Sequence, residues 1–184
     1  MLGASRRPRR MRRFILIGLR AAGKSSVGRA IARLSGGTFL DLDDAVAAAA
    51  GSCSAHDAFV ALGEPAFRAL EVAALDDALR TGAQTVIALG GGTPMAPGAH
   101  AIIEAARASG WRVILLDAPD EVLGARIRQS PGTRPSLTGA TPDQEVTEIR
   151  ARRWPTFERL ADLVVSTDTL NPSELAQGIV SAID

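Results

Sequence analysis

Short, wholly apolar runs alternate along this chain with stretches whose apolar residues recur every three or four positions, so strands and helices are predicted in turn. Phe14 to Ile17 is such a run, and beyond a glycine-containing turn Val27, Ala30, Ile31 and Leu34 follow at helical spacing. Thr38 to Asp43 reads as a second strand, with Phe39, Asp41 and Asp43 on one side and Leu40 and Leu42 on the other. An alanine-rich helix from Ala45 breaks at Gly51 and resumes through Phe59 and Leu62. A longer helix starts near Pro65, its inward face set by Phe67, Leu70, Ala74, Leu75, Ala78 and Leu79. Gln84 to Leu89 and Trp111 to Leu116 are further buried strands, separated by a helix over 97–109. A helix over Asp120 to Gln129 then precedes a loop, Ser130 to Pro142, rich in proline and glycine. Val146, Ile149, Phe157 and Leu160 form the stripe of the next helix, which Pro155 is expected to kink or end. Leu163 to Ser166 is a fifth strand and Pro172 to Ile183 a closing helix. The alternation predicts an α/β fold, a three-layer sandwich around a five-stranded parallel sheet.

Length and composition narrow this to one domain over 13–184, since 184 residues with 46% apolar content suffice for a single core. No apolar run nears the roughly 18 residues that span a bilayer, and the arginine-rich start has no apolar signal segment, so no membrane partner and a cytoplasmic location are expected. Cys53 is a lone cysteine and the histidines are only His56 and His100, which leaves no soft-metal cluster. The net charge of +1 conceals an asymmetry: Arg6, Arg7, Arg9, Arg10, Arg12 and Arg13 precede the first strand, and the rest of the chain is mildly acidic. Such an arm suits nucleic acid or an acidic surface. It has no aromatic residue and no apolar period, so residues 1–12 are expected to be a disordered extension with no nucleic-acid partner.

The turn after the first strand carries the most specific signal. Gly18 to Ser25 fits GxxxxGK[ST], with Gly18, Gly23, Lys24 and Ser25 in the fixed places, between a buried strand and a helix. A loop folded back on a helix N-terminus aims unpaired N–H groups and the positive dipole end at one spot, where a polyphosphate fits. Lys24 supplies a mobile charge to the outer phosphates, and the Ser25 hydroxyl can ligate magnesium. Asp41 and Asp43 leave a strand end together, where ligands of open α/β sheets gather: one acid suits magnesium through water, the other an acceptor hydroxyl. A plain acidic turn capping the next helix fits the same residues.

Charged residues also fall on inward faces. Arg68 and Glu71 lie within the apolar arc of their helix, where they either pair with each other or let Arg68 reach an anionic substrate group. Arg153 sits at the centre of the Val146, Ile149, Phe157 stripe and calls for a buried acid or an anionic ligand. Gly90, Gly91 and Gly92 end the third strand, as a close approach of ligand to backbone requires. The loop over 130–142 carries Arg134 as its one charge, which suits a lid that closes over a nucleotide.

Taken together these residues resemble the shikimate kinases, small relatives of the nucleoside monophosphate kinases with a phosphate-loop fold. The resemblance runs from Phe14 nearly to the end, through the phosphate loop and Ser25-Ser26-Val27-Gly28-Arg29, Asp41-Leu42-Asp43, Gly63-Glu64, Phe67-Arg68 with Glu71, and Gly90-Gly91-Gly92. Arg134-Pro135, then Arg153 with Pro155, and Ala161-Asp162 complete it. It implies magnesium-dependent transfer of the ATP γ-phosphoryl group to the 3-hydroxyl of shikimate, a step toward chorismate and the aromatic amino acids.

By that resemblance Ala21, Ala22, Gly23, Lys24, Ser25 and Ser26 hold ATP, Arg126 lies on the adenine side, and Ser25 and Asp41 serve Mg2+. Asp43 acts on the acceptor hydroxyl, and Lys24 with Arg134 stabilises the phosphoryl in transit. Arg68 and Arg153 grip the shikimate carboxylate, helped by Gly90, Gly91 and Gly92, with Phe59, Phe67 and Glu71 around the pocket. The substrate-binding helices span about 44–80, and a monomer is expected. Departures are Ala21, where the family has glycine, Ser136 in the lid, and Phe157 in place of a tyrosine. The rivals are another small-metabolite kinase of this fold, such as a gluconate kinase, and a ligand-binding module without turnover.

Overall fold

A computed structural model describes residues 12–83, 85–129 and 141–183. Five parallel strands, β1 (Arg13–Ile17), β2 (Phe39–Asp41), β3 (Val86–Ala88), β4 (Trp111–Asp117) and β5 (Leu163–Ser166), form one sheet in the order β2-β3-β1-β4-β5. Ile15, Leu16 and Ile17 are all buried, as are Val113 to Leu116, so both faces of the central strands are covered. That is the condition of a parallel sheet flanked by helices on two sides.

The helices are α1 (Lys24–Ser35), α2 (Leu42–Ala49), α3 (Ala55–Leu62), α4 (Glu64–Thr81), α5 (Ala99–Ala108), α6 (Asp120–Gln129), α7 (Pro142–Leu160) and α8 (Pro172–Ala182). Helix α1 packs on α8, α4 on α2, α3 and α5, and α7 on α6. The expected α/β architecture is therefore present, strand for strand.

One local expectation is corrected, and a second, that Pro155 kinks or ends its helix, is narrowed because the helix does not end there. The second strand stops at Asp41, and Asp43 lies in the first turn of α2, because Asp41 caps that helix: its Oδ1 accepts the Asp43 amide at 3.2 Å. A carboxylate that satisfies a free helix N–H stabilises the helix start over another strand residue. Helix α7 also runs through Pro155 to Leu160. Proline removes the N–H that would have bonded the Ala151 carbonyl, and since both residues are exposed, water can donate to that carbonyl instead.

Arg12 and Arg13, at the edge of the expected arginine extension, are held: Arg12 donates to the Val180 carbonyl on α8, and the Arg13 guanidinium stands 5.2 Å from the Trp111 ring centre. Residues 1–11 lie outside the described residues. So does the expected lid with Arg134, apart from Thr141, the N-cap of α7, and Pro142, its first residue.

Sheet register sets the site. Leu16, Ala88 and Asp41 are aligned across β1, β3 and β2, so the turns that follow these strands emerge side by side. The phosphate-loop turn, the Asp41 to Asp43 corner and the glycine triplet thus share the carboxyl edge of the sheet, where α/β folds place ligands.

Candidate active site at the carboxyl edge of the sheet

Two adjoining cavities open along this edge. The first, about 560 Å³, is lined by the turn between β1 and α1 (Ala21, Gly23, Lys24, Ser25, Ser26), by Asp41 and Asp43, and by Arg126, Leu170 and Leu175. Gly18, at φ +142°, lies so close to β4 that a β-carbon would stand 2.2 Å from the Leu116 carbonyl oxygen. Gly23, at φ +87°, supplies the left-handed residue from which α1 starts. Lys24 Nζ donates to the carbonyls of Gly18 and Leu19 at 2.9 and 2.8 Å, which holds the ammonium across the loop. Ala22 does not line the cavity: its side chain is buried in the core and its amide bonds the Leu19 carbonyl.

Ser25 Oγ donates to Asp41 Oδ2 at 2.6 Å inside this cavity. A hydroxyl and a carboxylate are hard oxygen donors, and magnesium commonly takes only one or two protein ligands, its remaining positions going to phosphate and water. The pair therefore fits a magnesium ion carried by a polyphosphate. Arg126 is fixed at the far wall by the Thr167 side chain and carbonyl, at 3.1 and 2.5 Å, and by the Ala21 carbonyl at 3.3 Å.

The second cavity, about 380 Å³, is lined by Phe59, Phe67, Arg68, Glu71, Gly90, Gly91, Gly92 and Arg153, together with Asp43, His56, Ile149 and Arg152. Phe59 and Phe67 meet edge to face with ring centres 5.4 Å apart and form an apolar wall. Arg68 and Glu71, read from sequence as either a structural pair or a ligand contact, are a pair that also lines a cavity. Arg68 Nη1 donates to Glu71 Oε2 at 2.6 Å, and the buried Thr93 hydroxyl donates to Glu71 Oε1 at 2.6 Å.

Arg153 reaches the same cavity from α7. Burial pushes its pKa below the ordinary arginine value, and repulsion from Arg68 adds to the shift, outweighing attraction from Glu71 and Glu145. Two guanidiniums close enough to repel favour an anion between them.

The glycine triplet packs against these groups directly. A β-carbon would stand 2.6 Å from Asp43 Oδ1 if placed on Gly90, 3.2 Å from Arg153 Nη1 if on Gly91, and 2.7 Å from Arg68 Nη1 if on Gly92. Each glycine leaves room for at least one charged side chain. What packs against the glycine backbone in the structure is side chains that arrive from three other elements, α2, α4 and α7.

Against known proteins, a family model described as Shikimate kinase matches residues 20–184. The chain belongs to the shikimate kinase family. A shikimate kinase of Nitratidesulfovibrio vulgaris is 38% identical over 158 residues, 85% of this chain and 87% of the relative, and one of Corynebacterium glutamicum is 30% identical over 92% of this chain and 95% of the relative. Among solved structures, the shikimate kinase of Acinetobacter baumannii in complex with shikimate superposes with a TM-score of 0.83 at 27% identity, covering 95% of this chain and 93% of that one. A gluconokinase from Sinorhizobium meliloti, at 16% identity and a TM-score of 0.57, shares the fold alone.

Within this shikimate kinase family member, sequence reasoning passed over Arg20, Thr93 and Thr167. Arg20 occupies an unrestricted position of the loop pattern, and Thr93 directly follows the glycine triplet, where it serves Glu71. Thr167 carries no motif at all; only the fold places it under Arg126.

Proposed function

We propose that this chain transfers the γ-phosphoryl group of ATP to the 3-hydroxyl of shikimate, giving shikimate 3-phosphate and ADP. One observation carries the reading: Asp43 lines both the phosphate-loop cavity and the cavity bordered by Arg68 and Arg153. A carboxylate on that boundary is placed to receive the hydroxyl proton as the oxygen attacks phosphorus. Arg68 and Arg153 hold the substrate carboxylate, and an acid relieves their mutual repulsion in a way a neutral polyol cannot. Phe59 and Phe67 cover the apolar part of the ring and keep water from competing with the acceptor.

Main-chain amides at the start of α1 and the Lys24 ammonium neutralise the phosphates. Ser25 and Asp41 would hold Mg2+, which supplies charge neutralisation on the phosphate oxygens. Arg126 borders the nucleotide at its base side, and by the family pattern Arg134 adds charge to the phosphoryl in transit. Both cavities are built by a single chain, so a monomer suffices, and we assign it to the cytoplasm, where ATP is supplied. Among the described residues no helix is long and apolar enough to cross a membrane.

A coupled ADP-release assay on the full chain tests the reading. ADP should form with ATP, Mg2+ and shikimate together and not when shikimate is omitted. Stimulation by gluconate and not by shikimate assigns the chain to polyol phosphorylation, and shikimate binding without ADP release makes it a ligand-binding module.

A further inference from the structure

Among the described residues, two line both cavities: Asp43 and Arg20. Lys24 and Arg126 border only the nucleotide side, and Arg68, Arg152 and Arg153 only the acceptor side, so among the described residues Arg20 is the one cation that lines both. Its place is fixed by the backbone. The next residue, Ala21, turns the chain at φ +63°, and the Arg20 amide nitrogen lies 3.7 Å from where a β-carbon on Gly91 would stand. Arg20 therefore issues from the seam between the phosphate-loop turn and the glycine triplet.

A phosphoryl group passing between the cavities crosses this boundary with negative charge spread over three equatorial oxygens. Asp43 alone would set a carboxylate beside that charge. A guanidinium at the same boundary offsets the repulsion, and its planar array of donors matches phosphate oxygens.

Building on the proposed reaction, we propose that Arg20 is a further catalytic residue, which contacts the phosphoryl group in transit from the boundary between the two cavities. The bond from phosphorus to the ADP oxygen breaks, the bond to the acceptor oxygen forms, and the hydroxyl proton goes to Asp43. Arg20 keeps all its protons and contributes only hydrogen bonds and charge. Because those oxygens are most exposed in transit, its contribution is to the transition state more than to the binding of either substrate.

The test compares Arg20→Met and Arg20→Lys with the wild-type chain in rapid-quench single turnover, alongside calorimetric affinities for ATP and for shikimate. Arg20→Met should slow phosphoryl transfer about 10²-fold, as loss of one transition-state donor does, with both affinities within about threefold of wild type. Arg20→Lys should retain part of the rate, and guanidinium ion should restore part of it to Arg20→Ala. Should Arg20→Met fail to fold, the rate of Arg20→Lys and the guanidinium response of Arg20→Ala decide.

A wild-type rate in Arg20→Met overturns the assignment, as does a loss of shikimate affinity equal to the loss of rate. Wild-type protein that releases no ADP with shikimate overturns the reaction itself, whereas active wild-type protein with an indifferent Arg20→Met overturns only the role of Arg20.

Discussion

The Asp43 carboxylate is wedged against Gly90, so closely that a β-carbon at residue 90 would stand 2.6 Å from Asp43 Oδ1. The same atom would meet Thr93 Oγ1 at 2.9 Å and Glu71 Oε1 at 3.1 Å, which makes the missing side chain a condition for three polar groups to meet. Gly90 has no left-handed φ, so alanine is acceptable to the backbone there and its effect is steric. Gly90→Ala should lower kcat by about tenfold or more by displacing Asp43, while ATP affinity stays near wild type. Steady-state kinetics with a parallel nucleotide titration checks this, and equal loss of both would point to general disruption of the edge.

Glu71 links the Arg68 guanidinium to the Thr93 hydroxyl and is only 2% exposed. Arg68→Ala should raise the shikimate KM about ten- to a hundredfold, the roughly 1.5–3 kcal/mol of a hydrogen bond to a charged group, with the ATP KM near normal. Glu71→Gln divides the network differently. Its amide oxygen still accepts from Thr93, but its NH2 faces the Arg68 donors, so Arg68 loses its alignment. The shikimate KM should rise with little change in urea stability, whereas Glu71→Ala, which also strands the Thr93 hydroxyl, should cost about 1–3 kcal/mol of stability.

These relationships were unevenly legible in the chain. The phosphate loop was readable because four fixed residues sit between a strand and a helix whose periodicities are both local. Arg153 was readable because helical period alone puts it on the inward stripe. The place of Asp43 was not, since the alternating Leu40-Asp41-Leu42-Asp43 fits a strand end and the start of a capped helix equally, and only pairing with β3 ends the strand at Asp41. The glycine triplet signalled a close approach without revealing by what. Its neighbours Asp43, Arg68 and Arg153 come from α2, α4 and α7, contacts that no local pattern encodes. Arg20 escaped for a simpler reason: loop patterns constrain the residues that make the turn, and Arg20 stands at one of the positions left open.

Ala21 takes φ +63°, the one non-glycine residue with positive φ among those described. A β-carbon in the left-handed region costs about 1–2 kcal/mol, partly offset by the greater freedom glycine has in the unfolded chain. Ala21→Gly should therefore stabilise the protein by about 0.5–1 kcal/mol, read from urea midpoints at constant m-value. A lower midpoint would mean that the Ala21 methyl group makes packing contacts worth more than the backbone strain.

Asp162, after α7, joins three elements: it accepts from Arg107 Nη2 at 2.6 Å on α5 and from the Val113 amide at 2.8 Å on β4, and its own amide bonds the Val113 carbonyl. Burial acts to raise the Asp162 pKa, but the hydrogen bonds from Arg107 and Val113, with the Arg107 and Arg112 charges, outweigh it and leave the pKa below the ordinary carboxylate value. A carboxylate with a depressed folded-state pKa contributes stability that is fully present above the unfolded value, about 3.9, and fades as pH falls through the folded one. Melting temperature should therefore fall on acidification below about pH 5. Asp162→Asn should melt lower at neutral pH, because Arg107 loses its charged partner, and its melting temperature should depend less on pH between about 5 and 2. Parallel curves for the two proteins across that window would show that Asp162 is not among the groups coupling protonation to unfolding.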